Sequence, residues 1–228
     1  MTVAMLKRVV WCASLLIPIA GKSQAPIQID VGVKAGYNLA SINSTSAVTL
    51  NPNYFQGYHG GIYTMFKISS FAIQPELLYS VQGQTFQYPV TANLPPLTTQ
   101  LNYICVPIVA KAYVAGGFNL QAGAQFGFLS SSQGSVQSQI SGQPTVSTQS
   151  LNQFVKSNDA GMVVGLGWDL PKGLNVTARY YLGLANINYY STGYPNTYLT
   201  TSMGTSKASN QVFQFSVGFR LFKLDTEL

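Results

Sequence analysis

The sequence predicts an all-β protein, an eight-stranded antiparallel up-and-down transmembrane β-barrel, and three observations predict it. Charged residues make up 8% of the 228-residue chain, where a soluble domain carries about 25% to keep its surface in water. Apolar and polar residues alternate with period two in eight separate segments, the pattern of strands whose two faces meet different environments. The connections between these segments alternate short and long, the layout of outer-membrane barrels with short periplasmic turns and long extracellular loops.

The chain opens with a basic pair, Lys7-Arg8, and an apolar run, Val9 to Ala20. That run is too short to span a bilayer as a helix but suits a secretory signal. Ser23-Gln24-Ala25 supplies a small-x-small cleavage pattern. Residues 1–25 are therefore expected to be a signal peptide, and residues 26–228 a single barrel domain. Trp11 stands before Cys12, where a lipoprotein signal needs a small residue. After cleavage Cys105 is the lone cysteine, so no internal disulfide or cysteine-based metal site is expected. With Lys7, Arg8 and Lys22 set aside, nine dispersed basic residues face six acidic ones, too weak an excess for a nucleic-acid partner.

The first segment sets Ile29, Val31, Val33, Ala35, Tyr37 and Leu39 against Asp30, Gly32, Lys34, Gly36 and Asn38. The second, around 58–68, opposes Ile62, Thr64 and Phe66 to Tyr63, Met65 and Lys67. The third opposes Phe71, Ile73, Pro75, Leu77 and Tyr79 to Ala72, Gln74, Glu76, Leu78 and Ser80. In the fourth, Ile104, Val106, Ile108, Ala110 and Ala112 face away from Tyr103, Cys105, Pro107, Val109, Lys111 and Tyr113. The fifth, sixth and seventh cover 118–128, 159–169 and 174–183, with Phe118, Trp168 and Tyr180 on their apolar sides. The eighth aligns Phe213, Phe215, Val217, Phe219 and Leu221 against Gln214, Ser216, Gly218 and Arg220. Each is long enough for a tilted strand to cross a bilayer. Ser69-Ser70, Ala115-Gly116-Gly117 and Leu170-Pro171-Lys172-Gly173 are the tight turns, and 40–57, 82–101, 129–158 and 185–210 the long loops.

Two placements of the apolar face are open to such a sheet. A soluble, lipocalin-like carrier turns it inward and its polar face to water. Here the polar face is Gly, Gln, Asn and Ser, a thin coat for water but a good filling for a narrow lumen. Closure into a barrel also leaves no unpaired edge in lipid. The apolar set is therefore expected to face outer-membrane lipid, with aromatic residues near the segment ends forming girdles.

The inward set then carries Lys34, Lys67, Glu76, Lys111, Arg179 and Arg220 as an interior polar network. Buried charge has to be paired, and strand order makes Lys67 and Lys111 the expected partners of Glu76. An eight-stranded lumen is filled by side chains rather than open as a pore, so a plug is expected. His59, in Gly57-Tyr58-His59-Gly60-Gly61, is placed near the outer rim. A rim-active lipid acyltransferase or hydrolase using His59 is the alternative function. It lacks an acid in the long loops, and a triad needs all three members within hydrogen-bond reach. No catalytic, cofactor or metal site is expected.

Several stretches look familiar: Gly32-Val33-Lys34-Ala35-Gly36-Tyr37-Asn38, Gln74-Pro75-Glu76-Leu77-Leu78-Tyr79-Ser80, Leu101 to Ile108, Asp159 to Gly167 and Arg179 to Ile187. In these the chain resembles the PorT-like (OmpX-like) outer-membrane β-barrel family. Cys105 stands where members of that family often carry an acid. The resemblance implies a small barrel in the cell outer membrane of a Gram-negative bacterium. One branch of that family serves protein secretion, and the role expected for this chain is a non-enzymatic structural, adhesive or secretion-accessory one, with a secretion or envelope protein as partner. The aromatic residues Phe219 and Phe222 resemble the C-terminal signal read by the barrel-assembly machinery.

Overall fold

In the computed structural model, the described residues are 27–44, 51–87, 96–140, 143–152, 155–187 and 207–226. The expected signal segment, and Leu94-Pro95 of the second long connection, lie outside them. The described chain forms nine strands: β1 (Ile27–Ser44), β2 (Asn51–Ile68), β3 (Phe71–Gln87), β4 (Leu97–Ala115), β5 (Phe118–Ile140), β6 (Gln143–Ser150), β7 (Asn158–Asp169), β8 (Leu174–Gly183) and β9 (Ala208–Thr226). All pairings are antiparallel, and β4 pairs with β5 while β1 pairs with β9. The ring β1-β2-β3-β4-β5-β7-β8-β9 is thus a closed, eight-stranded, up-and-down barrel, as the alternation predicts.

The tight turns follow from local stereochemistry. Ser69, Gly116 and Gly117 adopt φ of 53°, 54° and 85°, and Lys172 and Gly173 adopt 64° and 88°. Hairpins whose turn residues have positive φ match the right-handed twist of their strands. Glycine carries that conformation without steric cost, whereas Ser69 and Lys172 hold it against their own Cβ.

The apolar faces point outward. Phe71 is 69% exposed, Ile73 57%, Ile62 55%, Val217 55% and Trp168 51%. On the opposite face Lys34, Glu76, Gln74, Gln121 and Arg179 are buried. This settles the two-sided question against a soluble carrier, because exposing so many large apolar side chains is favourable in lipid and not in water.

The long connections differ from expectation. Residues 129–140 continue β5, and Gln143–Ser150 returns along it as β6, pairing from Gln133↔Ser150 to Ile140↔Gln143. Likewise β3 runs on to Gln87 while β4 begins at Leu97. The wall continues beyond the lipid-facing band. There neither face needs to be apolar, so alternation fades while backbone pairing persists. At the other end of the chain, β9 does not stop at Phe222 but pairs with β1 as far as Thr226.

A register shift between Val31 and Gly32 leaves Leu221 as an extra residue on β9, since Phe222 pairs with Val31 and Arg220 with Gly32. Such a bulge re-phases a strand. Leu221 and Phe222 therefore both project outward, at 52% and 68% exposure, although they are adjacent in sequence.

Candidate functional site in the barrel lumen

At mid-height, among the described residues, the lumen holds one carboxylate. Glu76 on β3 accepts hydrogen bonds at Oε1 from Lys34 Nζ at 3.0 Å, from Arg179 Nη2 at 2.8 Å and from Gln74 Nε2 at 2.6 Å. Arg179 also donates through Nε to Gln121 Oε1 at 2.6 Å, and Gln121 donates to Asn119 Oδ1 at 2.7 Å. Lys34 comes from β1, Arg179 from β8 and Gln121 from β5, so one network ties four strands across the ring. Gly165 makes room for it: a Cβ there would lie 2.8 Å from Arg179 Cγ.

The expected partners of Glu76 are not the observed ones. Lys67 and Lys111 are both in register with Ala72, four residues from Glu76, or roughly 13 Å along a strand at about 3.3 Å per residue. Neighbouring strands therefore supply the wrong level, and the narrow lumen lets β1 and β8 supply the right one. Lys111 pairs instead with Asp169 at 3.3 Å, and Arg220 with Asp30 at 3.2 Å. Lys67 Nζ sits 3.7 Å from the centre of the Tyr113 ring. All six predicted network residues face the lumen, but they form separate groups rather than one.

Sequence reasoning missed Asp30 and Asp169 as partners. Both already fell on the inward face of their segments, so parity was the signal that marked them. Asp159, near the opposite end, is also buried and accepts a hydrogen bond from Asn210 Nδ2 at 2.8 Å.

His59 is not a rim residue. It is 2% exposed and projects into the lumen, with Nδ1 2.7 Å from Asn38 Oδ1 and Nε2 2.8 Å from Ser216 Oγ. A nucleophile, a base and an orienting group are thus in a row, with an amide in place of the acid. The orienting Asn38 spends its Nδ2 on Ser80 Oγ and on the carbonyls of Tyr58 and Val81. Gly36 closes over the ring, and a Cβ there would lie 2.6 Å from His59 Cε1 and collide with the Phe215 carbonyl. Enclosed in this way, the histidine is walled off from lipid, and its bonds fasten β1, β2 and β9 together. Among the described residues no group of three or more His, Cys, Asp or Glu side chains could hold a metal ion.

Residues 22–189 match a family model described as "Outer membrane protein beta-barrel domain". The chain belongs to this family. No curated protein matches it. Among solved structures it is similar to Neisserial surface protein A, at 12% identity and TM-score 0.48, covering 84% of this chain and 97% of that one. It is also similar to Ail, the attachment invasion locus protein of Yersinia pestis, at 11% identity and TM-score 0.42, covering 87% and 100%. OprG of Pseudomonas aeruginosa matches at 10% identity and TM-score 0.36, covering 92% and 100%.

As a member of an outer-membrane family, the barrel has a fixed sense. The short turns after β2, β4 and β7 lie at the periplasmic end, and the extended strands at the extracellular end. The lumen is layered accordingly. Toward the outside, Leu78, Leu101, Tyr103 and Cys105 of the wall pack with Leu151, Val155 and Ile187 from the connections. Backbone bonds from Leu151 N to Ser132 O, Lys156 N to Ile187 O and Ile187 N to Ala208 O hold those connections in place. The Glu76 network occupies the middle, and the Lys111–Asp169 and Arg220–Asp30 pairs the periplasmic end. Phe219 and Phe222 both face lipid near that end, at 48% and 68% exposure.

Proposed function

We propose that this chain is a plugged, non-enzymatic outer-membrane barrel that presents its extracellular wall to an envelope or external protein, in an adhesive or secretion-accessory role. Support for the plug comes from the lumen's filling: an apolar layer above, a charged layer cross-linked through Glu76 below, and an eight-strand ring whose interior holds little more than side chains. Support for the contact comes from one observation, the continuation of β5 and β6 well past the span that lipid requires. A strand needs about 9–11 residues to cross, and β5 has 23. Residues 146–150 of β6 are all exposed and uncharged, and apart from Val146 they present three hydroxyls and the Gln149 amide, groups suited to hydrogen-bonding a partner rather than repelling it.

The finer placement in the PorT-like branch belongs to this reading, and rests on the motif stretches of β1, β3, β4, β7 and β8. So does export by residues 1–25, and recognition of Phe219 and Phe222 during assembly. The enclosed setting of His59 speaks for a structural role and against the lipid-modifying alternative.

The experiment is affinity isolation from native outer membranes in mild detergent. Wild type is compared with a variant whose β5–β6 projection is replaced by a two-residue Asn-Gly turn. The reading expects a stoichiometric partner with wild type and its loss with the variant, while both proteins keep heat-dependent gel mobility. Recovery of the barrel alone, or equal recovery of the partner by both, contradicts it.

A further inference from the structure

The periplasmic end of the lumen opens into a cavity of about 210 Å³ whose lining includes Lys67, Gln74, Lys111, Tyr113, Asp169 and Arg220. Pockets for drug-sized molecules run to roughly 300–1,000 Å³, so this one takes a small ion with a few waters. Its charges do not balance. Lys111 is matched by Asp169, Arg220 by Asp30, and Lys223, also at the lining, by Asp225 at 2.9 Å. Lys67 has no carboxylate partner among the described residues, and its ammonium rests on the Tyr113 ring. A concave site whose lining carries an uncompensated cation attracts anions.

Gln74 refines the ligand. Its side chain is buried and its Nε2 donates to Glu76 Oε1. An ionised carboxylate only accepts, so the amide nitrogen is held toward Glu76 and the Oε1 is left over. That oxygen is buried without a hydrogen-bond partner, and Gln74 is among the residues that line the cavity. The lining thus offers a cation for an oxyanion and, in Gln74, an unpaired acceptor for a hydroxyl.

We propose that this vestibule is a periplasm-facing binding site for a small phosphate-type oxyanion that carries a hydroxyl, such as hydrogen phosphate or a phosphomonoester. Lys67 neutralises the anion, and Gln74 Oε1 accepts its P–OH. The proposal does not depend on the extracellular contact proposed above.

The test is calorimetric titration of the purified full chain in an uncharged maltoside detergent, with inorganic phosphate as the probe. Saturable binding is expected. Lys67→Met is expected to weaken it by roughly tenfold or more, given the Coulomb energy of one close charge near a protein surface. Lys67→Arg retains it, and heat-dependent gel mobility verifies that each variant is folded. Sulfate, which has no proton to donate at neutral pH, binds several-fold more weakly. No saturation with phosphate, or equal binding by wild type and Lys67→Met, overturns the site. Equal affinity for sulfate overturns the assignment of Gln74. Displacement of phosphate by monomeric short-chain phosphatidylglycerol overturns the free solute as ligand in favour of a lipid headgroup.

Discussion

Glu76 and Arg179 meet at 2.8 Å across the lumen, from strands β3 and β8 that are not neighbours in the ring. One carboxylate oxygen takes this contact together with those of Lys34 and Gln74. Among the described residues the anion is the only one at its level, so its removal leaves two buried cations, Lys34 and Arg179, without their carboxylate. Breaking a buried ion pair by deleting one partner costs about 3–5 kcal/mol, because the other charge is left uncompensated.

Glu76→Leu is therefore expected to destabilise the barrel by about that amount, read as a lower urea midpoint in lipid vesicles. Coupling should follow geometry rather than strand order. A double-mutant cycle between Glu76 and Arg179 should give about 1 kcal/mol or more, and one between Glu76 and Lys111 close to zero. Equal coupling in the two cycles would place Lys111 in the central network.

The His59→Ala variant removes the link between Asn38 and Ser216 and leaves both buried. A loss of about 1–3 kcal/mol is expected for unsatisfied buried polar groups. The lipid profile of the outer membrane should not change. A changed profile at unchanged stability would favour the enzymatic alternative.

Replacing Phe222 by Ala removes an outward aromatic from the end of β9. Slower assembly of the barrel in cells is expected, followed as accumulation of the unfolded gel band, with little change in the stability of the protein that does fold. Normal assembly kinetics would remove Phe222 from the signal and leave Phe219 as the candidate.

Cys105 is 2% exposed and faces the lumen within the apolar layer, in contact with Gln125 Nε2 at 3.7 Å. Maleimide labelling of the folded barrel should be negligible and should become complete after heating in detergent. Rapid labelling of the folded form would show that the outer layer of the lumen admits solutes.

The strands that lipid touches were legible because lipid enforces the pattern. Ile73 and Gln74 alternate in the sequence as they do on the wall. Where the wall leaves lipid, as from Leu129 to Ser150, Ser, Thr and Gln suit either face, and the pairing of β6 with β5 left no periodic trace. Which residues face inward could be read from parity, and all six network residues do. Which of them touch could not, because contact depends on register and on reach across the ring. The four-residue offset of Lys67 and Lys111 from Glu76 is a property of pairing, not of composition. The depth of His59 was hidden for the same reason: nothing in the sequence says where the lipid band ends. The bulge at Leu221 was equally silent, although it alone allows two consecutive residues, Leu221 and Phe222, to face lipid.

The central claim, a lumen filled by its own side chains, is tested most directly by conductance of the full chain in planar lipid bilayers. The account predicts a silent bilayer with wild-type protein whose insertion is verified by protection from protease. Stable, stepwise openings at low voltage would contradict it, by showing a continuous aqueous path past Glu76 and the apolar layer above it.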